Sequence, residues 1–381
     1  MKIFHISDLH LGKRLNEFSL YEDQEYILYK MLEAVGEQKP DVCVIAGDVY
    51  DKPIPPAEAV TLFDGFLYRL SNLVKAVFVI SGNHDSAERL SFGGRLMSTR
   101  GVYISRAYDG DVSPTIIEDD FGEVRFYLLP FLRPSEVRRF FPDEKIENYT
   151  DTLGAAISKM NVDPSKRNVL VTHQFVAGGL RSDSEETSVG GLDSVDPAVF
   201  DCFDYVALGH LHKAQRVGRD TLRYCGTPLK YSFSEINDRK SATLAELLDK
   251  GEVKITEIPL LPKRDLREIR GSYEEIMTAR ARSGAETDDY VHIILDDPDY
   301  IEDAAKKLSV LYPNLMALDY SRLEALAEGA GPLSEANEKR SPLELFDELF
   351  EHQNGLPMND EQRAFCLELI EEIWGDKNET A

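Results

Sequence analysis

Short apolar runs that end in polar clusters are the most regular pattern in the first two-thirds of this 381-residue chain. Each run has the length of a β-strand, is rich in Val and Ile, and stops at Asp, His, Asn or Gly. The runs are residues 2–7, 41–46, 76–81, 168–172 and 205–208. Apolar residues at helical spacing fill 20–38 and recur after Pro55 and Pro56, which suit a helix start. Strands that alternate with helices predict an α/β layered domain, ending near residue 261.

The remainder of the chain predicts a smaller α/β unit followed by two helices. Residues 290–295 and 315–320 suit strands, and residues 301–311 suit a helix between them. The predicted divisions are domains at 1–261 and 262–321, a Gly- and Glu-rich linker at 322–340, and a helical region at 341–381. The last two helices are amphipathic but have too little apolar surface for a core of their own. The pattern leaves two interpretations open, packing against the body of the protein or docking a partner.

Composition and charge narrow the class of protein. The chain is 43% hydrophobic, and no apolar stretch approaches the roughly 20 residues that span a bilayer. The N-terminus shows no signal-peptide cleavage pattern and the four cysteines form no CxxC pair, so we expect a cytoplasmic protein without membrane contact. The formal net charge of −25, from 43 Lys and Arg against 68 Asp and Glu, disfavours broad DNA binding. Any DNA contact would therefore need local basic patches, metal ions or a partner.

The polar clusters that end the apolar runs contain five motifs. They are Asp8-Leu9-His10, Gly47-Asp48-Val49-Tyr50-Asp51, Gly82-Asn83-His84-Asp85, Thr172-His173 and Gly209-His210-Leu211-His212. Each motif alone has an ordinary structural explanation, such as an Asx turn. However, five of the eight histidines fall within them, and the ends of strands in an open α/β sheet gather on one rim, where ligands bind. The motifs together predict a shared site.

The side chains of these motifs suit a two-metal centre for chemistry at phosphorus. Carboxylate, imidazole and amide ligands without thiolates favour Mn, Fe or Zn, whereas Mg and Ca prefer oxygen ligands. Two such ions about 3.5–4 Å apart can hold the attacking and leaving oxygens of a displacement at phosphorus. Two dications with the carboxylates of Asp8 and Asp48 leave the site net positive. A phosphodiester anion requires such a site.

The ordered motifs resemble the signature of the calcineurin-like metallophosphoesterases, and the likeness extends to the bacterial SbcD family of double-strand-break repair nucleases. It covers nearly the whole chain and implies an αββα sandwich, a small α/β capping domain and C-terminal helices. It also implies two divalent metal ions, with Mn²⁺ expected. The implied ligands are Asp8, His10, Asp48 and His212 for one ion, and Asp48, Asn83, His173 and His210 for the other. His84 is the implied catalytic group, which stabilises charge or protonates the leaving 3′ oxygen, with Asp85 to orient it.

The resemblance further implies the substrate and the partners. It implies a nuclease subunit with 3′–5′ exonuclease and endonuclease activity on double-stranded DNA ends and hairpins, in DNA repair and recombination at the nucleoid. The implied partner is an SbcC-like ABC-type ATPase, bound at its coiled-coil base by the C-terminal helices, and a homodimer is expected through the region 56–72. Candidate phosphate contacts are Lys13, Arg14, Arg89, Arg95, Lys213 and Arg216, although for each residue alone an ordinary surface charge is the favoured interpretation.

The five motifs alone are compatible with two other functions. A small-substrate metallophosphoesterase, such as a cyclic-nucleotide phosphodiesterase or a phosphatase, would use the same five motifs but would not need the C-terminal third of the chain. A non-catalytic scaffold would have no reason to keep the full ligand set together with His84.

Overall fold

Two six-stranded sheets form the centre of the first of two units in this computed structural model. The structure describes residues 1–182, 185, 194–278, 288–321 and 342–375. The units are Met1–Arg267 and Glu268–Ala381. The strands of the first unit are β1 (Lys2–Ile6), β2 (Arg14–Leu15), β3 (Phe18–Ser19), β4 (Val42–Ala46), β5 (Ala76–Ile80), β6 (Val102–Ile104), β7 (Thr115–Asp119), β8 (Gly122–Leu129), β9 (Arg167–His173), β10 (Tyr205–Gly209), β11 (Gln215–Val217), β12 (Arg219–Tyr224), β13 (Ser241–Leu247) and β14 (Val253–Pro259).

The sheet topology places all five motif-bearing strands in parallel arrays. One sheet has the order β14-β13-β1-β4-β5-β6, and the other has the order β11-β12-β10-β9-β8-β7. Strands β1, β4, β5 and β6 run parallel, as do β8, β9, β10 and β12, whereas β13, β14, β7 and β11 pair antiparallel towards the edges. The carboxyl ends of β1, β4 and β5 therefore open on one rim of their sheet, and those of β9 and β10 do so in the other.

Apolar side chains fill the space between the two sheets. Val44 and Phe78 of the first sheet are fully buried against Phe126 and Val171 of the second. The rings of Phe78 and Phe126 stack with centroids 4.5 Å apart. Burying one such side chain contributes about 1.5–3 kcal/mol, so this layer is a large part of what holds the sheets together.

Helices cover the outer faces of the sandwich. The helices of this unit are α1 (Tyr21–Gln38), α2 (Ala57–Ser71), α3 (Ala87–Leu90), α4 (Gly94–Met97), α5 (Pro134–Val137) and α6 (Tyr149–Lys159). Helix α2 buries Phe63, Phe66 and Leu70 and contacts both α1 and β5, while α6 buries Leu153 and Ile157 against the second sheet. The apolar stripes recur every three or four residues, as the helical period requires. The layers are therefore helix, sheet, sheet and helix, as the resemblance implied.

The second unit contains a three-stranded sheet in the order β15-β16-β17. Its elements are β15 (Leu266–Gly271), α7 (Tyr273–Met277), β16 (Tyr290–Leu295), α8 (Ala304–Ser309) and β17 (Leu315–Tyr320). Ile276 of α7 and Leu308 of α8 pack with Ile293 of β16 in its core. Both predicted strands form at their predicted positions. The predicted helix at 301–311 is shorter, because Asp303 adopts a left-handed φ of 55° just before α8 begins.

Two helices form near the end of the chain, α9 (Pro342–Asn354) and α10 (Asp360–Gly375). They contact each other, and Arg363 of α10 pairs with Asp347 of α9 at 2.8 Å. Gly355 ends α9 with a left-handed φ of 67°, a conformation that favours glycine. The predicted linker at 322–340 lies outside the described residues. Among the helices that the structure describes, none is both long and apolar enough to cross a membrane.

Candidate metal centre

The loops that follow β1, β4, β5, β9 and β10 bring the predicted metal ligands together. Three sets of side chains have possible ligand atoms within 4.8 Å of one another. They are Asp8 with His10 and His212, Asp48 with His10 and His84, and Asp8 with Asp48 and His173. Asp8, His10 and Asp48 each belong to two of these sets. Asp48 can therefore be shared between two neighbouring cation positions.

Asn83 joins the remaining predicted ligands to this cluster. Its side-chain Oδ1 lies 3.1 Å from His173 Nε2 and 3.0 Å from His210 Nδ1. His173 Nε2 also lies 3.3 Å from Asp48 Oδ2. The other nitrogen of His173, Nδ1, donates to the carbonyl of Ala46 at 2.8 Å, so Nε2 is the nitrogen that faces the cluster. All seven predicted ligands are thus neighbours at one site.

Backbone strain is concentrated at the predicted ligands. Asp8, His10, Asp48 and His210 have φ angles of 53°, 44°, 49° and 104°, a region that side chains rarely adopt. Each such residue costs on the order of 1–3 kcal/mol, which the surrounding structure must offset. Main-chain bonds at 3.0 Å from Asp8 N to the carbonyl of Gly47, and from His10 N to that of Asp48, help to do so. Strain of this kind is typical of functional sites.

Two glycines of the motifs leave room for the ligands beside them. A Cβ atom at Gly82 would lie 2.1 Å from Asp48 Oδ1, and one at Gly47 would lie 2.4 Å from His173 Nδ1. Gly47 also has a φ of +90°, which favours glycine. The glycines in the Gly-Asp and Gly-Asn-His-Asp motifs are therefore needed to pack the two loops against each other.

The ring of His84 is oriented by a main-chain carbonyl. Its Nδ1 donates to the carbonyl oxygen of Asp51 at 3.0 Å, which leaves Nε2 for another partner. We expected Asp85 to orient this ring, but the carboxylate of Asp85 instead accepts three main-chain N–H groups at 2.9–3.1 Å. The donors are Val49, Tyr50 and Gly82. Asp85 thus ties together the loops that carry Asp48 and His84, and it reaches His84 through the main chain.

Burial and charge determine the protonation of the cluster. Burial lowers the pKa of His10 well below its usual value and that of His210 to about 3, so both rings are neutral and keep a lone pair for a cation. Burial raises the pKa of Asp8, and the charge of Asp48 adds to that effect. Burial opposes the charged form of His173, but Asp48 and Asp8 stabilise it and raise the pKa of this ring to about 9. Burial alone would raise the pKa of Asp48, but the charge and hydrogen bond of His173 outweigh burial and lower that pKa.

The donor atoms fit divalent metal ions. His10 is 1% exposed, and neither of its ring nitrogens has a hydrogen-bond partner within the described part of the chain. A buried imidazole without a partner is costly, and a cation would satisfy it. The set of carboxylates, neutral imidazoles and one amide, without a thiolate, suits Mn, Fe or Zn.

Several residues that shape the site carry no motif. Gln24 Nε2 donates to the carbonyl of His10 at 2.7 Å, and Tyr231 OH donates to that of Leu9 at 2.6 Å. Glu235 lies beside His212, with Oε1 at 3.1 Å from Nδ1. Of these three residues, the sequence pattern could have indicated only Gln24. It is a polar residue on the buried stripe of α1, where the helical period predicts an apolar one.

Comparison with known proteins identifies the family of the chain. Residues 1–214 match the sequence model of the calcineurin-like phosphoesterases, more than half of the chain. The chain belongs to this family and is an enzyme of the metal-dependent phosphoesterase class. Residues 262–354 match the model of the type 5 capsule protein repressor C-terminal domain. The SbcD component of the SbcCD nuclease of Staphylococcus epidermidis is 37% identical over 322 residues, which are 84% of this chain and 85% of that protein. Within its class, the chain therefore belongs to the SbcD family.

A solved structure is also similar to the chain. A dimetal phosphatase from Danio rerio matches 68% of this chain and 99% of its own, at 14% sequence identity and a TM-score of 0.41.

Proposed function

We propose that the chain is the nuclease subunit of a complex with an SbcC-like ATPase, and that it hydrolyses phosphodiester bonds at double-stranded DNA ends and hairpins. The proposal includes 3′–5′ exonuclease and endonuclease activity in DNA repair and recombination at the nucleoid. The observation that carries it is the gathering of seven ligand-type side chains and His84 at one site, in a chain 37% identical to the SbcD component of a bacterial SbcCD nuclease.

We assign two divalent ions, expected to be Mn²⁺, to this site. Asp8, His10, Asp48 and His212 would hold one ion, and Asp48, Asn83, His173 and His210 the other. The placement of Asp48 among both groups supports its role as the shared ligand. When bound, such ions would neutralise the charge of a phosphodiester and make water a better nucleophile. This local positive charge would offset the −25 net charge of the chain where the substrate binds.

His84 is the proposed proton donor to the leaving 3′ oxygen. Because its Nδ1 proton is held by the carbonyl of Asp51, proton exchange takes place at Nε2. The ring centroid lies 4.9 Å from that of His10, so His84 borders the cluster, and its side chain is only partly buried. This position combines access to substrate with a fixed ring orientation.

Exposed basic side chains near the motifs support contact with the DNA backbone. Arg89 and Arg95 are exposed, and neither forms an ion pair with any residue that the structure describes. By contrast, Lys213 pairs with Asp238 at 3.3 Å, and Lys13 pairs with Asp51 at 2.9 Å. We therefore place phosphate contacts first at the two arginines.

The proposed partner surfaces are two helical regions with exposed apolar side chains. On α9 and α10, Phe346, Leu349 and Phe365 are 46%, 52% and 61% exposed, which supports docking of the coiled-coil base of the ATPase. On α2, Val60 and Tyr68 are 44% and 71% exposed, which supports a homodimer contact. We retain 1–261 as the nuclease domain, 262–321 as a capping domain and 341–381 as the partner-binding region.

Cleavage of an end-labelled linear duplex by the purified chain, with Mn²⁺, tests the proposal. We expect cleavage that EDTA abolishes, and a loss of about 10²–10⁴-fold in His84→Gln, the range of general acid–base catalysis. His292→Gln is the matched control, because His292 lies in the second unit and glutamine can keep its bond to Asp319. Mn²⁺ binding by His84→Gln should stay at the wild-type level, since His84 is not among the assigned ligands.

Bis-p-nitrophenyl phosphate, assayed in parallel, separates the rival function. Hydrolysis of this small ester without cleavage of duplex DNA, both alone and with the ATPase partner added, would replace the nuclease assignment by a small-substrate phosphoesterase. Undiminished cleavage by His84→Gln would remove the proposed role of His84.

A further inference from the structure

A buried pair of opposite charges lies directly behind His212. The side chain of Glu235 is fully buried, and its two oxygens have different partners. Oε1 lies 3.1 Å from His212 Nδ1, and Oε2 lies 2.6 Å from the ammonium of Lys240, whose side chain is 5% exposed. Both residues follow the last metal-ligand motif by more than 20 positions and belong to no motif of their own.

Lys240 holds the main chain of His212 as Glu235 holds its ring. The ammonium donates to the carbonyl of His212 at 3.0 Å and to Thr227 Oγ1 at 2.8 Å. Thr227 N donates to the same carbonyl at 3.0 Å. The ring and the backbone of His212 are therefore fixed by one connected network. Such a network determines both the position and the rotation of the imidazole.

The charge of Glu235 determines which nitrogen of His212 is available. Oε2 of Glu235 lies 2.6 Å from the Lys240 ammonium, and this neighbouring positive charge favours the ionised carboxylate. An ionised carboxylate can only accept a hydrogen bond, so His212 Nδ1 carries the proton. His212 Nε2 then keeps its lone pair for the site.

The structure assigns to Glu235, supported by Lys240, the role of a positioning residue that presents His212 Nε2 to a metal ion. This inference rests on the proposed function, in which one metal ion is held by Asp8, His10, Asp48 and His212. His173 differs in this respect, because its Nδ1 is held by the neutral carbonyl of Ala46. A charged carboxylate therefore orients the ring of His212, whereas a neutral carbonyl orients the ring of His173.

The alternative is that the pair only fastens the segment from Cys225 to Lys240 to the sheet. A single substitution would not separate the two roles, because it would leave the opposite charge buried without a partner and strongly destabilise the chain. Two double variants avoid this problem. Glu235→Gln with Lys240→Met keeps an oxygen that can accept from His212 Nδ1. Glu235→Leu with Lys240→Met removes that acceptor, and both variants lose the same ion pair.

Mn²⁺ alone, titrated into the full-length chain with free Mn²⁺ followed by electron paramagnetic resonance, measures the effect. His212→Leu should abolish one class of bound ion and so identify the relevant class. We expect the Leu/Met variant to bind that same class about 10–100-fold more weakly than wild type, the usual effect of losing a residue that orients a metal ligand. The Gln/Met variant should recover most of this affinity, and the other class of ion should be unaffected.

Thermal unfolding in EDTA shows how much each double variant loses in stability without metal. If both variants are folded and bind Mn²⁺ as wild type does, the pair is a structural fastening and the inference is overturned. Equal weakening in both variants also overturns it, because the acceptor oxygen would then make no difference. If wild type itself binds no Mn²⁺, or if His212→Leu binds as wild type does, the failure lies in the proposed metal centre and the inference falls with it.

Discussion

The candidate metal centre has two halves, one formed by Asn83 with His173 and His210, and the other formed around His10. The halves differ in whether hydrogen bonds satisfy the nitrogen and oxygen atoms of their side chains. Around Asn83, the nitrogens of His173 and His210 are within 3.0–3.1 Å of one amide oxygen, and His173 also bonds the carbonyl of Ala46. Around His10, the nearest carboxylate oxygens, from Asp48 and Asp51, lie 3.7 Å from the ring nitrogens, and neither nitrogen has a hydrogen bond within the described residues. One half is held by its own hydrogen bonds, whereas the other places a polar ring among side chains that do not satisfy it.

This difference separates two ways of building a metal site. The half around Asn83 keeps its geometry through mutual hydrogen bonds that a cation would replace. The half around His10 depends on its surroundings, where the rings of His84, His212 and Tyr231 lie 4.9, 5.1 and 5.6 Å away. Burying an unsatisfied polar group costs about 1–3 kcal/mol. We therefore expect the half around His10 to gain more from metal binding than the half around Asn83.

Substitution of the residue that both halves share should have the largest effect. Asp48→Asn removes the charge that faces both His10 and His173, so we expect loss of both bound Mn²⁺ ions and a fall in DNA cleavage of about 10³-fold or more. Mn²⁺ stoichiometry by metal analysis and the duplex cleavage assay measure the two effects. His210→Leu is the comparison, since it should weaken only the half around Asn83. Retention of both ions by Asp48→Asn would show that the halves do not share this ligand.

Crowding the half around Asn83 should cost stability. In Gly47→Ala, the new Cβ would lie 2.4 Å from His173 Nδ1, on a backbone with a φ of +90°. We expect the free energy of unfolding to fall by at least about 2 kcal/mol, as measured by urea denaturation.

Gly36→Ala is the matched control for this substitution. Gly36 lies in α1 with nothing within 4 Å of an added Cβ, so alanine should raise stability by about 0.5–1 kcal/mol. An unchanged free energy of unfolding in Gly47→Ala would show that His173 can move away from the new Cβ at little cost. It would weaken the contrast between the halves.

The sequence predicted the frame of the site well, because buried parallel strands are continuous apolar runs with clear ends. The strand predicted at 76–81 forms at Ala76–Ile80, for example, and the strand predicted at 168–172 forms at Arg167–His173. The antiparallel strand Val253–Pro259 was not singled out, since its face alternates between partly buried and exposed residues. Placing ligands at the carboxyl ends of strands then followed from topology.

The supporting contacts could not be predicted in the same way. The partner of His84 is the main-chain carbonyl of Asp51, and a main-chain oxygen leaves no mark in a sequence. Glu235 reaches His212 from a short 3-10 helix (Phe233–Glu235) 23 positions further along, which only the tertiary fold brings close. Asp85 was recognised as part of the motif, but its bonds are to main-chain N–H groups. The assignment of each ligand to one of two ions stays a prediction.

The contrast between the halves has a direct test in the metal-free protein. His10→Leu removes two buried nitrogens that have no hydrogen bond among the described residues, and leucine is close to histidine in volume. In EDTA, we expect the free energy of unfolding of this variant to be unchanged or higher by about 1 kcal/mol. His210→Leu should lower it by about 1 kcal/mol, because it removes the bond to Asn83 Oδ1. Urea denaturation of both variants measures the difference.

With Mn²⁺ added, His10→Leu should have a lower free energy of unfolding than wild type, the reverse of the order expected in EDTA. Wild type gains about 2.7 kcal/mol at a metal concentration 100 times its Kd, and a variant without His10 should gain much less. If His10→Leu and His210→Leu lose equal stability in EDTA, the imidazole of His10 is no more costly to bury than that of His210. The two halves would then be equivalent in the metal-free protein, and the difference between 3.0 Å and 3.7 Å contacts would carry no energetic meaning.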